Sequence, residues 1–96
     1  MTEHPLTLIV RGLVHLAAED PGVVVVEQVR HASGTLRIFV TPGSAENTGM
    51  IIGRHGARIE RVRALVNELA EAHGLTVFIK VLTPDRPVPD ATPTGR

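Results

Sequence analysis

The chain has 96 residues, 43% of them apolar, which allows one small hydrophobic core and leaves no room for a second. It has no cysteine, so disulfide frameworks, thiolate metal sites and cysteine nucleophiles are excluded together, and a reducing cytoplasm is the expected compartment. Ten basic and ten acidic residues cancel, and with no Trp, no Tyr and two Phe the composition disfavours binders that stack bases across an aromatic sheet face.

The N-terminal stretch MTEHPLTLIVRG has neither a basic n-region nor a long apolar run, so neither a signal peptide nor a membrane span is expected. Pro5 suits a first helical turn, and Leu6, Ile9, Val10, Leu13, Val14 and Ala17 recur at three- and four-residue intervals. This spacing predicts an amphipathic helix over 5–19, stopped by Glu19-Asp20-Pro21-Gly22. Residues 23–29 are dense in β-branched side chains and predict a strand. After the polar link 31–34, residues 35–41 alternate, with Leu36, Ile38 and Val40 on one face, which predicts the second strand of an antiparallel hairpin.

Pro42-Gly43 breaks that strand, and Ser44 is placed to cap a short helix over 45–52. Gly53 ends it, Arg54 and His55 intervene, and a longer helix beginning at Gly56 or Ala57 carries Ile59, Val62, Leu65, Val66, Leu69 and Ala70 inward until Gly74. A last strand is predicted over 75–82, with Leu75, Val77, Ile79 and Val81 on its apolar face. Residues 83–96 hold four prolines and no aliphatic periodicity, which predicts a mobile tail after a single domain over 1–82. The order helix, strand, strand, helix, helix, strand predicts an α+β fold, a three-stranded sheet covered on one face by three helices.

Charge is concentrated where the two central helices meet. Residues 53–63 hold Arg54, Arg58, Arg61 and Arg63 against Glu60 alone. Gly53 and Gly56 lack a Cβ, so the backbone there can take conformations closed to other residues and let a phosphodiester approach. Gly56 and Ala57 open a helix, whose free amides and positive dipole end favour an anion. Arg54 supplies a permanent charge beside them and His55 one that depends on pH. Arg58 and Arg61, three residues apart, could track a phosphate backbone further, whereas Arg63 belongs to another face, solvated and paired with Glu60 and Glu68. The plainer reading of the two glycines is as caps joining two helices, and of the arginines as a solvated helix face.

The segment Ile51-Ile52-Gly53-Arg54-His55-Gly56-Ala57-Arg58-Ile59 resembles the GXXG core of a KH domain, and the element order is similar to the type II form. Residues 6–82 resemble the small free-standing bacterial KH proteins of the KhpA-like family. The resemblance implies single-stranded RNA binding, with Gly53 to Gly56 clamping sugar-phosphate and bases selected in an aliphatic groove between helices and a sheet edge. It implies Ile51 or Ile52 on the near side of that groove and Ile59 across the loop, although all three isoleucines are also core candidates. Thr48 and Met50 stand where relatives tend to have an aliphatic residue and a lysine, so one basic contact is missing. Gly49, which matches the family, is expected to permit close helix packing.

His4, His15, His31 and His73 show no metal-ligand spacing and are expected at the surface. No P-loop or nucleophile motif is present, and neither catalysis nor a cofactor is indicated. Two functional readings stand. One is an RNA-binding module or RNA chaperone. The other is a protein-interaction adaptor, using Met50 and the valine-rich edge to meet a second copy or another KH protein. The resemblance allows both, since KhpA-like proteins are associated with homodimers and with heterodimers to a larger KH-containing partner of the Jag/KhpB type.

Overall fold

The computed structural model describes residues 3–83. Along the chain come helix α1 (Pro5–Ala17), a 3-10 turn (Pro21–Val23), strands β1 (Val25–Arg30) and β2 (Thr35–Thr41), helix α2 (Ala45–Ile52), a second 3-10 turn (Arg54–Gly56), helix α3 (Ala57–Ala72) and strand β3 (Thr76–Val81). The sheet order is β1-β2-β3. β1 and β2 form the antiparallel hairpin, Val25 opposite Thr41 and Arg30 opposite Leu36. β3 lies parallel to β2, Thr76 beside Thr35 and Val81 beside Val40, and α2 and α3 supply the crossover that a parallel pair needs.

Strand alternation turns Val26, Leu36, Ile38, Val40, Val77 and Ile79 to one face. The helices close over it with Leu6, Val10 and Val14 from α1, Ile51 from α2, and Ile59, Val62, Val66 and Ala70 from α3. These side chains form the core, and among the described residues no helix lies on the opposite sheet face.

Local chemistry accounts for where elements end. Ser44 Oγ accepts from the Asn47 amide at 3.0 Å, the N-cap expected for α2. Gly74, at φ +70°, follows the C-terminus of α3 and donates to the Glu71 carbonyl at 3.1 Å. α1 stops at Ala17, two residues short of expectation, because Asp20 is held elsewhere. The fully buried Asn47 accepts from the Asp20 amide at 3.0 Å and donates to the carbonyls of Asp20 (2.8 Å) and Pro42 (2.9 Å). The Asp20 carboxylate in turn accepts from the Gly22 amide at 3.3 Å, so Val23 closes a turn and the strand starts at Val25.

Three further expectations are corrected. A Cβ at Gly49 would meet nothing within 4 Å, so no close packing explains that glycine. His4 is half-buried and caps α1, its Nδ1 accepting from the Leu6 amide at 3.1 Å, and the Nε2 of the half-buried His15 is enclosed without a partner. His31 and His73 are exposed.

Each outer strand of the sheet is met by an arginine from a helix. Arg11 of α1 donates to the Val26 carbonyl of β1 at 2.7 Å and also pairs with Glu3. Arg63 of α3 donates to the Ile79 carbonyl of β3 through Nε at 3.3 Å and Nη2 at 3.1 Å. Among the described residues no helix is long and apolar enough to cross a membrane. The tail expected over 83–96 lies, beyond Thr83, outside the described residues.

Candidate nucleic-acid interface

Between α2 and α3 the chain makes a single tight turn. The Gly53 amide closes onto the Gly49 carbonyl at 2.9 Å, the Gly56 amide onto the Gly53 carbonyl at 3.1 Å, and the Ala57 amide onto the Arg54 carbonyl. Gly53 sits at φ 80°, ψ 174°, a region that only glycine enters readily. A Cβ there would lie 2.6 Å from the Arg58 Cβ and 2.9 Å from the Arg58 nitrogen. Gly56 is left-handed at φ 76°, ψ 10°, but open space surrounds it. His55 is also left-handed, at φ 55°, ψ 26°, an uncommon state that histidine tolerates better than most side chains.

The capping pattern separates this turn from the rest of the chain. His4 caps α1, Asp20 the Pro21–Val23 turn and Ser44 α2, each through its side chain. The Arg54–Gly56 turn and α3 have no side-chain cap. No side chain caps the positive end of α3, and Arg54 and His55 stand exposed beside it.

Of the residues expected to contact RNA, Gly53, Arg54, His55, Gly56 and Ala57 come together on this turn. Ile52 is half-buried at its edge. Ile51 and Ile59 are 1% and 4% exposed and belong to the core, so neither offers the groove surface expected of it. Arg58 and Arg61 lie on the α1 side of α3, where with Leu13, Leu16 and Met50 they border an open hollow of about 440 Å³. Arg58 is not wholly free, since its Nη1 donates to the Met50 carbonyl at 2.8 Å and so satisfies the end of α2.

On the other flank of α3, Arg63 and Asn67 face residues 76–79 of β3 across a hollow of about 280 Å³. Arg63 pairs with Glu60 at 2.6 Å, as expected, yet it is not only a solvated residue, because it also bridges to the edge strand. Its spacing of four from Ile59 and from Asn67, on the rim of the buried stripe, was the signal in the sequence. What the sequence could not reveal is that the facing strand is an edge.

In fold the chain is similar to Era in its complex with MgGDPNP and nucleotides 1506–1542 of 16S ribosomal RNA, with a TM-score of 0.50 and 20% identity, covering 82% of this chain and 31% of Era. The chain has a KH-like fold. A variant of Aquifex aeolicus Era bound to GDP.AlF4- gives a TM-score of 0.49 at 21% identity, covering 86% of this chain and 34% of that one. The KH-like chain thus spans about a third of Era's length. No family model and no curated protein matches the sequence.

Proposed function

We propose that the chain is a type II KH domain that binds single-stranded RNA, holding about four nucleotides of sugar-phosphate at Gly53–Gly56 without chemical turnover. The observation that carries this reading is the uncapped start of α3 beneath two exposed basic side chains, on a turn whose first glycine has no room for a Cβ. A phosphate there would meet the positive end of the α3 dipole and be neutralised by Arg54 and His55. Bases would lie towards the α3–β3 hollow, where Asn67 and Arg63 offer polar contacts. Era's complex contains a ribosomal RNA segment, and RNA is the partner class we carry over.

The test is binding to pools of single-stranded RNA at two salt concentrations, for the native chain and for an Arg54→Asp, His55→Asp variant that keeps both glycines. Native binding is expected to weaken with salt, and the variant to bind about tenfold or more weakly, with a salt slope smaller by about 0.7 for each phosphate it no longer neutralises. A folded variant that binds like the native chain would sink the clamp.

The adaptor reading keeps one observation in its favour. Leu16 is 86% and Met50 45% exposed, side by side with Arg58 and Arg61 on the hollow beside α1, a surface suited to an apolar, acidic partner such as a second copy or a larger KH-containing protein. The valine-rich edge does not serve this reading as expected. Val25 and Val29 point out of the open sheet face, while Arg11 occupies the Val26 carbonyl. Sedimentation of the same samples reports self-association directly.

A further inference from the structure

Phe39 and Phe78 are the only Phe, Tyr or Trp residues in the chain, and the buried core uses neither. Alternation places both on the sheet face that no helix among the described residues covers, interleaved with cations. In the β2–β3 register Arg37 stands beside Phe78 and Phe39 beside Lys80. The Arg37 guanidinium carbon lies 5.6 Å from the Phe78 ring centre, within cation–π range, and the ring is 54% exposed. On this face the strands carry Arg37 and Lys80 against one acid, Glu27, which lies opposite Phe39. A protein-docking patch is expected to be poor in lysine at its centre. A surface for single-stranded nucleic acid combines a stacking ring with cations for the backbone.

Phe78 also borders both the α3–β3 hollow and the shallow hollow on the open face formed with Arg37, Phe39 and Lys80. The first of these lies between Arg63 and Asn67 of α3 and residues 76–79 of β3. Arg63, which bridges to Ile79, is seven residues past Gly56, a rise of about 10 Å along the helix. We propose that single-stranded RNA held at the Gly53–Gly56 turn continues across the β3 edge onto the open sheet face, where one base stacks on Phe78 and flanking phosphates meet Arg37 and Lys80. This rests on the loop reading and lengthens its footprint beyond the nucleotides at the turn. The sparse aromatic content rules out a broad stacking platform, but one well-placed ring suffices for one base.

The chain has no tryptophan, so Phe78→Trp installs a single fluorophore at the stacking position. Its emission is expected to be quenched by mixed-sequence RNA of about eight nucleotides and far less by RNA of about four, the length a KH turn holds. Phe78→Leu keeps apolar bulk and strand structure but removes the ring. It should weaken binding of the longer RNA about tenfold and leave the shorter unchanged. The Arg54→Asp, His55→Asp variant should bind neither length well. Unquenched tryptophan in the bound complex, or Phe78→Leu binding the longer RNA like the native chain, overturns the proposal. If Phe78→Leu instead converts a native dimer to monomer with RNA affinity intact, the face belongs to a second copy and the proposal is likewise overturned. A loop variant that binds normally while Phe78→Leu is weak would sink the loop reading and leave the sheet face as the RNA surface.

Discussion

A methyl group added at Gly53 would lie 2.6 Å from the Arg58 Cβ, whereas one added at Gly56 would meet nothing within 4 Å. Both glycines have positive φ, so both resist alanine, but only Gly53 combines that conformation with a collision against backbone. Gly53→Ala is therefore expected to cost about 2–3 kcal/mol and to displace the turn. Gly56→Asn, which tolerates the left-handed region, should cost less than about 1 kcal/mol. Thermal denaturation of the two variants checks the order, and equal losses would contradict the distinction. In the sequence the two residues are equivalent, since a GXXG spelling records that a Cβ is absent and not what would have met it. Ile51 and Ile52 pose the same difficulty: adjacent apolar residues near a helix end differ in exposure only because of where α2 meets the core.

At the scale of elements, helix starts are where the sequence spoke most clearly. The Ser44 cap follows from its hydroxyl and the Pro-Gly break before it. The end of α1 was hidden, because Ala18 and Glu19 are good helix formers and the contact that overrides them comes from Asn47, 27 residues beyond Asp20. The α1 cap was also missed, since His4 is not among the usual capping residues. It carries a pH dependence. Burial, then the nearby charges of Arg30 and His73, hold the His4 imidazole below its ordinary value of 6.5. Between that lowered value and 6.5 the unfolded chain binds a proton that the folded chain refuses, so stability rises with pH across the window and falls as pH drops through it. His4→Asn, a cap that does not titrate, should lose less stability over the same interval, as read by melting temperature against pH. Glu3 acts in a separate, lower window. Its hydrogen bond from Arg11 holds the carboxyl below its ordinary 4.5, so that contribution is present above 4.5 and lost as pH falls through the lowered value. If His4→Asn follows the native pH profile through the upper window, the cap assignment is wrong.

For the molecule as a whole, the sequence supplied the strands, the helices and the β1–β2 hairpin, but not the place of the last strand. That β3 joins β2 in parallel, leaving β1 and β3 as the two edges, depends on the crossover and not on either strand's own pattern. Arg11 and Arg63 acquire their second role only in that arrangement, one on each edge carbonyl. Arg63→Leu should cost about 1–2 kcal/mol, the worth of a charge-assisted hydrogen bond to a partly screened carbonyl. Faster amide hydrogen exchange in β3, with β1 unchanged, is the expected signature, and uniform acceleration across the sheet would argue against a local edge role. The same topology separates the ends of the described chain. Residues near Glu3 enter beside His73, at the far end of a 16-residue α3 about 24 Å long, while Thr83 leaves four residues beyond Ile79, towards the end of that helix where the glycine turn lies. An immobilisation tag or bulky reporter joined at the N-terminal side would leave the turn unobstructed, whereas the same group joined after Thr83 would start on the turn's side of the sheet and is the poorer choice for testing the proposed RNA contact.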